Sequence, residues 1–274
     1  MSAKSLKLCA WSGIASLAVF LGGFLIAGFI PPTPAPGLPA HDMAAYFRDN
    51  PLRIRSGLLT ASFGAALLVP WTVAVTVHMR RMEGGRFTPL AWTQMVLGGL
   101  FAIEFIIPFQ ILQSAAYRPE RSDESIQGLI DTGWLMFMGV VSTLVLQGIV
   151  LGMAILNDNR SEPIWPRWSG YFSIWAVIIT SPGGLVPFFH EGPFTWRGLF
   201  VWWIPLPAFA AWIIVFSILA LRTADQRYAV EDQLSSGPDG SSTSDAGYAT
   251  QADLQALRDH IHRLEGSPAN TAPR

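Results

Sequence analysis

Residues 99–110 read GLFAIEFIIPFQ, and one carboxylic acid, Glu104, stands in the middle of a run that is otherwise almost wholly apolar. The run extends on both sides to residues 90 and 115. That exceeds the roughly 20 helical residues needed to cross a hydrocarbon core about 30 Å thick. Five further segments reach the same length: residues 8–30, 57–79, 129–156, 168–189 and 199–221. Short connections rich in Pro, Gly and charge separate them, among them MRRMEGGRFTP, YRPERSDES and LNDNRSEPIWPR. The sequence therefore predicts an all-α fold: a polytopic membrane bundle of six transmembrane helices over residues 1–222.

Composition agrees. Of 274 residues 51% are hydrophobic and only 14% charged, against about 25% charged in soluble domains. Mean hydropathy is +0.36. Eleven Trp and 17 Phe fit the aromatic enrichment of membrane proteins. The net charge of −1 and the lack of long basic runs exclude a nucleic-acid partner. The single Cys9 has no partner for an internal disulfide and is given no role.

Lys4 and Lys7 precede the first span, whose apolar run is longer than a secretory h-region and lacks a small-x-small cleavage site, so an uncleaved anchor is expected. Lys and Arg near the span ends divide nine to six between the two sides, a bias that places both termini in the cytoplasm of a bacterial inner membrane. The first distal loop, PPTPAPGLPAHDMAAYFRDNP, predicts an extended polyproline II stalk followed by a short helix capped by Asp42. Met43, Tyr46 and Phe47 share one face of that helix, which is expected to rest on the membrane surface or to plug the mouth of the bundle.

Past residue 222 the chain turns polar. Residues 223–249 read as a flexible cytoplasmic linker. Residues 250–266 read as a short amphipathic helix with Thr250 as N-cap and Gly266 as stop, and residues 267–274 as a disordered C-terminus. Leu254, Leu257, Ile261 and Leu264 repeat as an a/d seam, which suggests a homo-oligomer contact or docking to a membrane protein partner.

Glu104 is the fifteenth residue of its span and so lies about 20 Å along it, close to the midplane. An acid there is costly and reads either as a group bonded across helices or as a functional one. The fifth span contains TSPGG, residues 180–184, where Pro182 removes a backbone donor and the glycines favour unwinding. Pro70 lies at a similar depth in the second span, just before Trp71 and Thr72. Broken backbone at membrane depth must face protein or water, so Thr180 and Ser181 are expected to share a cavity with Glu104. Gln110 and Gln113, with Asp131 at the start of the fourth span, would extend this cavity towards one face, with His190 and Glu191 at its mouth. The plainer readings are that Asp131 complements a helix N-terminus and that Gln110, Gln113 and Gln147 hydrogen-bond between helices.

No HExxH, paired-span histidines, CxxC, Walker A or GxSxG motif occurs, so neither a metal nor a nucleotide cofactor is expected and the sequence favours a non-enzymatic role. The segments RIRSGLLTASFGAALLVPW, HMRRMEGG, PRWSGYF and GPFTWRGLFVWWIPLP together resemble a group of uncharacterised six-span bacterial integral membrane proteins over residues 31–221. The resemblance implies the architecture and carries no site residue. Two functions follow as expectations: binding or translocation of a small lipophilic molecule near Glu104, or a scaffold or accessory subunit whose tail helix docks or oligomerises.

Overall fold

The computed structural model of the protein describes residues 3–85 and 87–235. By contact the chain divides after Tyr228 into two units, and the helical bundle is the first, Met1–Tyr228. The linker beyond Ser235 and the predicted tail helix with Leu254, Leu257, Ile261 and Leu264 lie outside the described residues.

Six helical segments are long and apolar enough to cross a membrane: Lys4–Ala27, Pro51–Glu83, Pro89–Ala115, Asp123–Leu156, Arg167–Phe188 and Leu199–Ala224. The protein is an all-helical, multi-pass membrane bundle. The side on which the first span begins is termed proximal and the opposite side distal. Only the first and third spans are single uninterrupted α-helices, α1 (Ala3–Ala27) and α5 (Pro89–Ala115), the latter running through Pro108. The second span is α3 (Pro51–Ala66) followed by α4 (Leu68–Glu83); the fourth is α6 (Asp123–Gly139) followed by α7 (Ser142–Leu156). The fifth begins as α8 (Arg167–Thr180) and continues as a 3₁₀ segment, Ser181–Phe188, and the sixth begins as a π-helical turn, Leu199–Trp203, before α9 (Pro205–Ser235). α9 thus remains helical past residue 222, where the sequence places the start of the linker.

Two of the bundle's seams show how the helices are held together. Apolar burial drives no association against lipid, so close packing of small residues and interhelical hydrogen bonds must do it. Along α1 and α3, Gly23 lies so near the facing helix that a Cβ on it would stand 2.5 Å from the Ala61 nitrogen and the Gly57 oxygen. The Ser16 hydroxyl donates to the Gly64 carbonyl at 2.7 Å. Along α7 and α8, a Cβ on Gly152 would come within 2.9 Å of the Gly170 oxygen. Ser173 donates to the Gly148 carbonyl at 2.8 Å and accepts from the Trp212 indole of α9 at 3.0 Å.

The distal half is filled by aromatic rings, with Phe24 stacked on Trp202 and edge-on to Trp134 and Phe109. α2 (Ala40–Asp49) closes this end, burying Met43, Ala44 and Phe47 completely in the same cluster. Arg48 fastens it by donating to the Pro119 and Arg121 carbonyls at 2.8 and 2.7 Å and pairing with Asp123 at 2.6 Å. Of the two expected places for this helix, the structure takes the plug. Asp42 sits in its first turn without capping it, because Pro39 occupies the N-cap position. The proline-rich segment before it bends and turns instead of extending as a stalk, and its Pro34 carbonyl accepts a hydrogen bond from the buried Trp196 indole at 2.9 Å.

Candidate functional site

The interruptions of spans four, five and six meet at one place. α6 ends at Gly139, and Val140, with φ −86° and ψ 80°, leaves the helix before α7 begins after Val141. Facing this break is the 3₁₀ segment, in which Pro182 lacks an amide donor. Gly183 touches the α6 end so closely that a Cβ there would lie 2.7 Å from the Met138 carbonyl oxygen. The π turn of span six packs beside both, its Ile204 amide donating to the Leu199 carbonyl at 2.9 Å.

These three segments, with the facing side of α5, enclose a cavity of about 80 Å³. Its walls include Val141, Gly183, Val201 and Trp202 from the interrupted backbone and Phe101 and Phe105 from α5. Val140, also on its wall, is 40% exposed, so the cavity opens laterally at the break. The lining is nearly all apolar, and among the described residues Thr180 supplies its only side-chain hydroxyl. That hydroxyl is already engaged, donating back to the Ala176 carbonyl at 2.8 Å.

Glu104 stands behind this wall. Its neighbour Phe105 lines the cavity, whereas its own half-buried carboxylate accepts a hydrogen bond from the Thr143 hydroxyl. Thr143 is the second residue of α7, between Val141 and Leu144, which both line the cavity. The acid therefore sits beside the first turn of α7, where the helix dipole favours a negative charge. Glu83 caps a helix start directly, its carboxylate accepting from the Leu90 and Ala91 amides of α5 at 3.1 and 2.8 Å, whereas Glu104 reaches α7 through the Thr143 hydroxyl. The acid in the apolar run thus has a local cause: the fourth span restarts inside the membrane, and Glu104 ties that restart to α5.

The other residues singled out by sequence are dispersed. Ser181 is exposed and donates to the Ile178 carbonyl at 2.7 Å. Gln110 is on the exposed face of α5, away from the cavity lining. Asp131 is half-buried on α6 within electrostatic reach of His190. Thr180 alone of the five reaches the cavity, and Glu104 abuts it. Sequence reasoning missed the break at Val140 and Val141 and the partner Thr143. Gly139 followed by two β-branched valines, a serine and a threonine is a run of weak helix formers, and that was the available signal. Among the described residues no cluster of three metal-ligating side chains occurs. Compared with protein-family models, with curated proteins and with solved structures, the chain finds no match.

Proposed function

We propose that the protein binds a slender lipophilic molecule in the cavity beside Glu104 and admits or passes it by movement of the interrupted segments around it. The observation that carries the reading is the convergence of three breaks in helical backbone on one apolar, laterally open cavity at mid-depth. Size narrows the class. An apolar cavity of roughly 150 Å³ takes benzene, and this one has about half that volume. The cavity has room for only a few carbons of a hydrocarbon chain, the rest of which would lie in the lateral opening and the bilayer, and it has no room for a fused ring system. The positive-inside bias supports a bacterial inner membrane with both termini in the cytoplasm as the setting.

The test uses the full chain in detergent and 1-chlorododecane as probe. Thermal stabilisation by the probe is expected in the wild type, and Val201→Phe, which fills the cavity, should raise the half-maximal concentration about tenfold, the equivalent of roughly 1.4 kcal/mol. An unchanged concentration in that variant removes the cavity as the site. Glu104→Gln keeps an oxygen for Thr143, so unchanged binding in it assigns the acid to clamping α7, and weakened binding assigns it to ligand contact.

A further inference from the structure

One helical turn proximal to the cavity the character of the interior changes. Leu144 lines the cavity and Gln147 follows it on α7; Phe101 lines the cavity and Gly98 precedes it on α5. Gly98 is pressed against Thr72 of α4, since a Cβ there would lie 2.2 Å from the Thr72 Oγ1. α4 and α5 run antiparallel, so one further turn along both sets Thr76 opposite Gln94.

These four side chains are buried, with Gln94 and Gln147 0% exposed and Thr72 and Thr76 2% and 4%. Both threonine hydroxyls and all four amide atoms of the two glutamines have no hydrogen-bond partner among the described residues. The two threonines differ from five other helical threonines. Thr60, Thr93, Thr132, Thr180 and Thr223 each donate to the carbonyl four residues back, the usual way a helical hydroxyl is satisfied in an apolar setting. Thr72 and Thr76, the two that meet α5, do not. Buried polar atoms are nearly always paired, so six unpaired ones on three mutually packed helices point to a missing partner.

We infer that Thr72, Thr76, Gln94 and Gln147 form a binding site for the neutral, hydrogen-bonding head of an amphiphile whose first carbons lie in the cavity and whose remaining chain leaves by its lateral opening. Hydroxyls and carboxamides both donate and accept and carry no charge, so they match an alcohol, amide or carbonyl group and offer nothing to balance a carboxylate or phosphate. This rests on the proposed binding of a lipophilic chain in the cavity and adds the head group and its direction, proximal end first.

The test compares 1-dodecanol with 1-chlorododecane, equal in chain length and differing in the terminal donor, by thermal stabilisation of the full chain. The alcohol should reach half-maximal effect at about tenfold lower concentration, the scale of one or two buried neutral hydrogen bonds. Thr72→Val/Gln147→Leu should abolish that preference while leaving the response to the chloride intact. Should that pair fail to fold, Thr76→Val/Gln94→Leu carries the same expectation. Equal potency of the two probes in the wild type, or a preference that survives the substitutions, overturns the head-group site while the cavity reading stands. No response to either probe overturns both.

Discussion

The seam between α1 and α3 and the seam between α7 and α8 use the same materials to different ends. Each brings glycines into backbone contact and each has a serine donating across to a glycine carbonyl, Ser16 to Gly64 and Ser173 to Gly148. Over the first, both helices stay regular along the whole contact. The second continues distally past the ends of regular helix, so that Gly183 of the 3₁₀ segment meets the Met138 carbonyl, and there the cavity opens. Close approach of small residues alone makes a sealed joint. It makes a cavity when both partners also interrupt their hydrogen-bond ladders at one depth.

The largest expected effect lies in the sealed joint. Gly23→Leu forces a branched side chain against the α3 backbone, and the unfolding midpoint should fall by the equivalent of about 3 kcal/mol, the upper range for overpacking. A protein that tolerates it without loss would show that the α1/α3 seam is as adaptable as the other. Gly183→Ala should cost less, about 1 to 2 kcal/mol, because the 3₁₀ segment has looser neighbours on its exposed side; probe binding should weaken more than stability does. Equal loss of stability in the two glycine variants would erase the contrast. The serines come last: Ser173→Ala removes two hydrogen bonds and Ser16→Ala one, so losses near 1.2 and 0.6 kcal/mol are expected from the roughly 0.6 kcal/mol average for such bonds in membranes. Denaturation in mixed micelles resolves that ratio, and a larger loss for Ser16→Ala would reverse the ranking of the seams.

The six spans were legible because twenty or more apolar residues in a row admit few other readings. The fifth-span break was legible for a different reason: Pro182 and two glycines write it into the local chemistry. The fourth-span break was not, because Val140 and Val141 are common inside membrane helices, and what releases the backbone there is tertiary, the 3₁₀ segment pressing on Met138 and Glu104 bonding Thr143. Glu104 could be recognised as anomalous from sequence, but its partner could not, since Thr143 stands among four polar or β-branched residues of equal promise. The polar set shows the same limit. Gln147 invited attention as a polar residue within a span, whereas Thr76 and Gln94 gain meaning only once Gly98 fixes the pairing of α4 with α5. Likewise, the shared face of Met43 and Phe47 was visible in spacing, and the choice between membrane surface and bundle mouth was decided by Arg48 reaching the loop carbonyls beyond α5.

The π turn at the head of the sixth span carries a mechanical consequence. Such a turn holds one residue more than an α turn, and each residue corresponds to about 100° of rotation about the helix axis. Were Leu199–Trp203 to tighten into α geometry, the helix below would screw round by that angle and Phe209 would leave the wall it shares with Phe101 and Phe105. A single extra residue thus gives this membrane protein a ready-made axle, with an aromatic paddle one and a half turns along it.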